Sequence, residues 1–149
     1  MNHPQDLAKE LSRLFPNEDM KKIADNACCA FVVMWCLGIE PEDINAIKYV
    51  QEMRQKEIIR NDCVVFWNKI VPYLTGRDLE NVEYKKIDSI KNIKSRTPVL
   101  FALDGNEEGV GHWVGIENGR IGFNPKKYSV NVENGKPVEA RILKIKGVE

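Results

Sequence analysis

The chain has 149 residues, a typical length for one domain. Apolar residues make up 43% of it, so it can bury a core and is not expected to be disordered. Its 22 basic and 22 acidic residues give a formal net charge of zero, which argues against nucleic acid or an anionic membrane as a partner.

The N-terminal part of the sequence is expected to be helical. It lacks the basic and apolar regions of a signal peptide, which favours a cytoplasmic location. Leucines at helical spacing predict a helix over 4–14, and a short second helix is expected over 17–24. Asn26 precedes the apolar run 27–37, where it would cap a helix buried on all sides. That run is too short to span a membrane, which takes about 20 residues.

Two further helices are predicted in the middle of the chain. Apolar residues at helical spacing predict one over 41–55. Asn61 or Asp62 would cap the other, which Gly76 should end. The charge-rich segment 77–97 is expected to hold one short helix.

The pattern changes to that of strands after Pro98. Short apolar or alternating segments follow at 99–103, 112–116, 121–123, 128–132 and 138–145. Asn-Gly occurs in two of the connections, at 118–119 and 134–135, and predicts two hairpins of an antiparallel meander.

Helices followed by a sheet predict an α+β fold in a single domain over 1–149. Residues 1–76 would form its mainly helical half, and residues 98–146 would form its antiparallel sheet.

Few side chains are available for acid–base or nucleophilic chemistry. His3 lies in a terminus that is expected to fray, which leaves His112 as the only internal imidazole. The cysteines at 28, 29, 36 and 63 have no zinc-binding spacing, so we expect reduced thiols, no metal and no other cofactor.

The position of each cysteine on its helix favours two of them as nucleophiles. Cys28 and Cys29 fall in the first turn of the helix over 27–37, where free amides and the positive end of the helix dipole stabilise a thiolate. Cys36 lies at the opposite end, and Cys63 lies in an ordinary amphipathic helix. This argument does not separate Cys28 from Cys29.

Hairpin register suggests a partner for His112. A three-residue loop over 117–119, with Gly119 in the left-handed conformation, would place His112 directly opposite Asn124 on the same face. A two-residue loop would turn Asn124 to the other face. A triad of thiol, imidazole and amide therefore depends on a bulge.

Several short segments resemble papain-like cysteine peptidases. Asn-Ala-Cys-Cys-Ala-Phe at 26–31 resembles the nucleophile region of that clan, Ser-Cys-Trp-Ala-Phe. Residues 98–103, 111–116 and 122–125 resemble the second half of its bacteriocin-leader-processing branch. The strand at 111–116 is also similar, more distantly, to Gly-His-Val-Gly-Ile of NlpC-type cell-wall hydrolases.

The resemblance implies a papain-like fold and a cysteine peptidase or amidase acting on a peptide or protein substrate. Cys28 would be the nucleophile, His112 the general base and then acid, and Asn124 the residue that orients the imidazole. Asn26 and Trp113 are candidates for oxyanion or substrate binding, although Trp113 also fits a core position.

One position departs from the family pattern. The family has a glutamine about six residues before the nucleophile that donates to the oxyanion, and Lys22 stands there. Such a donor is worth about 3–4 kcal/mol. An inactive papain-like module that binds a peptide or protein is therefore one alternative, and a phage-type peptidoglycan hydrolase is another. The sequence does not indicate an oligomeric state.

Overall fold

The computed structural model describes residues 3–14, 17–39 and 43–148. Within these ranges, helices come first along the chain and an antiparallel five-stranded sheet follows, so the expected α+β class is confirmed. The helices are α1 (Pro4–Leu14), α2 (Glu18–Asn26), α3 (Cys28–Cys36), α4 (Asp43–Gln55), α5 (Trp67–Thr75) and α6 (Val130–Asn134). The strands are β1 (Leu79–Lys86), β2 (Thr97–Ala102), β3 (His112–Glu117), β4 (Arg120–Phe123) and β5 (Lys136–Ile145).

Helix α3 is the buried centre of the helical part. All residues from Cys29 to Trp35 are buried, as expected for a helix that is apolar on every side. The helix packs against β3, β2 and α4, so it lies between the sheet and the helical part of the fold. The predicted central helix is confirmed.

The predicted cap of this helix is wrong. Asn26 is the last residue of α2, and Ala27 occupies the cap position of α3 without a side-chain hydrogen bond. The N–H of Ala27 still bonds to the carbonyl of Ile23 at 3.2 Å, so α2 continues past the point where Asn26 would have to leave helical geometry. The first amides of α3 consequently have no side-chain acceptor at the cap position.

Two glycines allow α3 to lie close to the sheet. A Cβ at Gly115 would come within 2.4 Å of the Trp35 ring, and one at Gly122 within 2.7 Å. The same ring stacks on Phe123 with centroids 6.0 Å apart. Trp35 therefore fixes the C-terminal end of α3 over the hairpin formed by β3 and β4.

Helix α5 begins later than predicted. Neither Asn61 nor Asp62 caps it, because the chain from Arg60 to Val64 forms a turn in which Cys63 has φ +68°. Asp62 contributes to this turn by accepting the N–H of Val64 at 3.4 Å. The predicted end of the helix is confirmed, since Gly76 follows it in the left-handed conformation, with φ +73°.

The sheet has the order β1-β5-β2-β3-β4, and every neighbouring pair is antiparallel. The predicted meander holds for β2, β3 and β4 only. The expected hairpin at 134–135 is wrong because residues 130–134 form α6, and β5 crosses to the other edge of β2. Tyr128 and Val130 are exposed, whereas Val132 packs against the sheet from within α6.

Strand β1 replaces the short helix predicted within 77–97. It pairs with β5 along its length, and its exposed residues account for the high charge of the segment. The isoleucines at 87, 90 and 93 follow it outside any helix and pack against a second apolar cluster, built from Val99, Phe101, Val114, Ile116 and Ala140. Side-chain alternation puts this cluster on the face of the sheet opposite α3, since Gly115 meets Trp35 on the other face.

Candidate functional site

A cavity of about 660 Å³ lies at the start of α3. Its walls come from the end of α2, the turn before α5, the loop before β3, and strands β1 and β5. Cys28 and Cys29 line it, and so do Asn26 and Trp113, which the sequence suggested as substrate-binding residues. Three of the five predicted site residues, Cys28, Asn26 and Trp113, therefore border one space, and His112 and Asn124 are not among the described residues that line it.

The Cys28 thiol is surrounded by backbone amides. Its sulfur interacts with the N–H groups of Cys28 and Cys29 in the first turn of α3, and with the N–H of Trp113, in the peptide bond that follows His112. Burial raises the pKa of the Cys28 thiol, and these amides and the charge of Lys126 oppose that effect without overcoming it. The thiol is therefore neutral at rest.

The other three cysteines are less suited to nucleophilic attack. Burial raises the pKa of Cys29 well above its usual value, and the nearby Cys28 adds to the effect. Burial also raises the pKa of Cys36, at the far end of α3, and it raises the pKa of Cys63 to about 11. Cys28 is half-buried, whereas Cys29 is buried, so the structure favours Cys28 where the helix dipole left the two equivalent.

His112 and Asn124 are joined by a buried hydrogen bond. Nε2 of His112 lies 2.7 Å from Oδ1 of Asn124, and the N–H of Lys126 donates to the same Oδ1 at 3.2 Å. An amide N–H donates only to an acceptor, so the shared atom is the oxygen and Nε2 must carry the imidazole proton. The lone pair of the neutral ring is therefore on Nδ1, the nitrogen that a general base would use.

The imidazole is neutral near pH 7. Burial lowers the pKa of His112, and the charge of Lys126 lowers it further. The hydrogen bond to Asn124 and the carboxylate of Asp6 raise the pKa but do not compensate. Among the described residues, the groups that act on the Cys28 thiol are backbone amides and the charge of Lys126, and the His112 ring is not one of them.

The predicted pairing of His112 with Asn124 is correct in face but not in register. The loop is the two-residue type, with Asn118 and Gly119 both at positive φ and Glu117 paired with Arg120. The register then shifts by one residue, because Ile121 pairs with Ile116 whereas Phe123 pairs with Gly115. The extra residue is Gly122, and this bulge returns Asn124 to the face of His112.

His112 is the first residue of β3. Alternation along the strand directs its side chain to the same face as Val114, while Trp113 and Gly115 face α3. The ring is only 4% exposed, and its neighbours Gly111 and Trp113 form the cavity wall at this point. The Cys28 sulfur thus meets β3 at the peptide bond between the side chains of His112 and Trp113.

The start of α1 packs against the loop that carries Asn124, so the expectation that His3 frays is wrong. Three hydrogen bonds join the two segments: His3 Nδ1 to the carbonyl of Asn124 at 2.8 Å, the N–H of Gln5 to the carbonyl of Pro125 at 2.9 Å, and the N–H of Lys127 to Oδ2 of Asp6 at 2.7 Å. This segment therefore supports Asn124 from outside the sheet.

Gln5 is a residue that the sequence argument missed. It is 1% exposed, and its Nε2 donates to the carbonyl of Ala24 at 3.0 Å, one turn before Cys28. Its own N–H bonds to Pro125, so it connects the loop after β4 to the approach to α3. The signal was its position one turn before Ala8 on the buried side of α1.

The departure at Lys22 remains in the structure. Lys22 is half-buried on α2, and its carbonyl lies 4.0 Å from the sulfur of Cys63. It is not among the described residues that line the cavity, whereas Asn26 lines it and is exposed. The groups that line this end of the cavity are therefore Asn26 and the first residues of α3, Cys28 and Cys29.

Among the described residues, no group of three or more His, Cys, Asp or Glu is arranged to hold a metal ion. No helix in this part of the chain has the length and apolar character needed to cross a bilayer. No protein-family model, curated protein or solved structure matches the chain.

Proposed function

We propose that the protein is a papain-like cysteine hydrolase that cleaves a peptide or amide bond, with Cys28 as nucleophile, His112 as base and Asn124 as its orienting partner. The observation that carries the proposal is the bond from His112 Nε2 to Asn124 Oδ1, which leaves the lone pair on Nδ1. This bond supports an orienting role for Asn124, since it fixes both the tautomer and the position of the ring.

A second observation supports the choice of nucleophile. The Cys28 sulfur interacts with the amide directly after His112, at the start of a helix whose first N–H groups lack a side-chain cap. Those amides are positioned to stabilise a developing negative charge on sulfur or on an attacked carbonyl. The cavity beside them offers space for an acyl group.

The reaction conserves protons and electrons without a cofactor. Nδ1 of His112 takes the thiol proton of Cys28 as the sulfur attacks the carbonyl carbon. The C–N bond then breaks, and the amine leaves with that proton, giving a thioester. Water attacks the thioester while His112 takes a proton from it, the C–S bond breaks, and the proton returns to sulfur.

The alternative is a binding module without catalysis, and two observations favour it. Burial raises the pKa of the Cys28 thiol, and the family's side-chain oxyanion donor has no counterpart at Lys22. In that case the cavity would hold a peptide that is released unchanged.

The proposed function is tested by incubating the protein with fluorogenic peptide and amide pools and, in a separate arm, with purified peptidoglycan. We expect hydrolysis that is lost in Cys28→Ala and retained in Cys36→Ala, which removes the thiol at the other end of the same helix. Hydrolysis that survives Cys28→Ala would overturn the assignment of the nucleophile. Binding of a peptide without turnover, unaffected by Cys28→Ala, would favour the binding module.

A further inference from the structure

The cavity beside Cys28 contains a buried positive charge that the proposed mechanism does not use. Arg141, on β5, is 8% exposed and lines the cavity together with Cys28 and Cys29. Its charge acts on the Cys29 thiol, whose pKa it lowers against the larger effect of burial. The guanidinium therefore lies within electrostatic reach of the first turn of α3.

The guanidinium is held between two aromatic rings. Its central carbon lies 3.9 Å from the ring centroid of Tyr84 and 5.0 Å from that of Trp113. The Trp113 ring in turn meets Trp67 edge-on, with centroids 6.5 Å apart. The stacking fixes the plane of the guanidinium, so its N–H groups have defined directions.

Arg141 uses only part of its hydrogen-bonding capacity within the part of the chain that the structure describes. Nη1 donates to Oε1 of Glu139 at 3.2 Å, and Nε is buried without a partner. A guanidinium has five N–H donors and prefers planar, two-oxygen acceptors. A ligand in the cavity that brings carboxylate oxygens would form charge-assisted hydrogen bonds with the Nη donors that Glu139 does not occupy.

The acidic residues around the same cavity do not cancel this preference. Asp25 and Asp62 line it at exposed positions, where water screens their charge. Arg141 carries its charge in a buried environment, where electrostatic interactions are stronger. Glu139 neutralises part of the charge, and its ion pair with the guanidinium is made through Nη1.

We propose that Arg141 selects substrates that carry a carboxylate near the scissile bond, with that carboxylate bound to the guanidinium between Tyr84 and Trp113. Trp113 connects the two features, because its N–H interacts with the Cys28 sulfur and its ring contacts Arg141. The carboxylate therefore binds in the cavity that Cys28 lines. This assignment rests on the proposed function, because a molecule bound by Arg141 is a substrate only if the protein is the hydrolase proposed above.

The test uses alkylating probes and therefore needs no known substrate. The rate of Cys28 modification, mapped by mass spectrometry, is measured at alkaline pH with iodoacetyl derivatives of glycine, β-alanine and γ-aminobutyrate, and with the carboxamide of each. The quantity compared is the rate with the carboxylate probe divided by the rate with its carboxamide. At one of the three chain lengths, we expect this ratio for Cys28 to be about tenfold higher than the same ratio for free N-acetylcysteine. A ratio equal to that of N-acetylcysteine at all three lengths would overturn the proposal.

Variants assign the preference to Arg141. The double change Arg141→Gln with Glu139→Gln removes both charges of the buried pair together, and Arg141→Lys keeps the positive charge. We expect the preference to disappear in the first and to persist, reduced, in the second. A preference that is unchanged in the folded double variant, as verified by circular dichroism, would exclude Arg141 as its source.

A last pair of probes identifies the source of the carboxylate. One iodoacetyl dipeptide has an acidic side chain and an amidated C-terminus, and the other has a neutral side chain and a free C-terminus. The probe that modifies Cys28 faster shows whether the preferred carboxylate belongs to an acidic side chain or to a free C-terminus. The carboxylate-to-amide ratio compares probes on one thiol, so it reports on Arg141 even if His112 has no influence on the absolute rate. Failure of this proposal and failure of the hydrolase proposal are thus separate results.

Discussion

Nε2 of His112 donates to Oδ1 of Asn124 at 2.7 Å, and that oxygen also accepts the N–H of Lys126. The second bond defines the chemistry of the first, because it identifies the shared atom as an acceptor. The imidazole is thereby held in the tautomer whose free lone pair is on Nδ1. A single asparagine thus determines which nitrogen of the ring is available as a base.

Replacing Asn124 with alanine should alter the imidazole and destabilise the fold. Two donors would lose their acceptor, which costs about 1–3 kcal/mol for a buried group. We expect the nitrogen NMR signals of His112 to change from an Nε2–H pattern to a mixture of tautomers, with a matching loss of stability in urea. An unchanged tautomer in Asn124→Ala would show that Asn124 does not orient the ring.

Stability should fall as the solution is made acidic through the titration of His112. Burial lowers the pKa of this imidazole below its usual 6.5, so the unfolded chain binds the proton more tightly than the folded protein does. The contribution is fully present above about pH 6.5 and is lost as the pH falls through the pKa of the folded state.

The variant His112→Gln isolates this contribution. It keeps an N–H donor for Asn124 and removes the titration, so its unfolding free energy should depend less on pH between about 4 and 7. The measurement is urea denaturation across that range, with His3→Gln as control. Equal pH dependence in His112→Gln and the parent would contradict the lowered pKa.

The glycines beneath Trp35 should be intolerant of any side chain. A Cβ at Gly115 would lie 2.4 Å from the indole, so Gly115→Ala must displace α3 from the sheet. We expect a loss of about 1–3 kcal/mol, typical of overpacking. Adding Trp35→Phe, which shortens the clashing ring, should recover part of that loss in a double-mutant cycle, and additive losses would show that the clash is not the cause.

Replacing Gln5, which connects α1 to the site, should affect both the stability of the fold and the reactivity of Cys28. Changing it to alanine removes the bond to the carbonyl of Ala24 and leaves a small void at a fully buried position. We expect about 1–3 kcal/mol of destabilisation and slower alkylation of Cys28. Lys9→Ala, at an exposed position on the same helix, is the control and should change neither quantity.

Periodicity in the sequence was sufficient for the helical half of the fold. The run that became α3 is apolar on every side, so its central burial followed from composition alone. The boundaries were harder, because Asn26 has a good capping side chain but lies inside the last turn of α2. The backbone bond from the N–H of Ala27 to the carbonyl of Ile23 keeps Asn26 in helical geometry, so its side chain does not act as a cap.

The sheet shows the limit of local reasoning. Asn118-Gly119 produced a hairpin as expected, whereas Asn134-Gly135 did not, since the segment before it forms α6. Which strand pairs on the far edge of β2 depends on contacts distant in sequence. The pairing of β5 with β1 was therefore beyond a pattern-based prediction.

The site was partly predictable for the same reason. His112 was predicted because it is the only internal histidine of the sequence. Asn124 was predicted as its partner on the assumption of a bulge in the hairpin, and the bulge lies at Gly122 instead of in the loop. Gln5 and Arg141 were missed because their roles arise from packing between distant elements: α1 on the loop after β4, and β5 on β1. Neither residue belongs to a local motif.

The most direct test of the account is the dependence of Cys28 reactivity on His112. The rate of alkylation of each cysteine by iodoacetamide is measured near pH 7 in the parent, in His112→Gln and in Lys9→Ala, a change at an exposed position of α1. We predict that Cys28 reacts first in the parent, that His112→Gln slows it by at least about tenfold, and that Lys9→Ala has little effect. Equal Cys28 rates in the parent and His112→Gln, or faster modification of Cys36 or Cys63, would contradict the proposed catalytic pair.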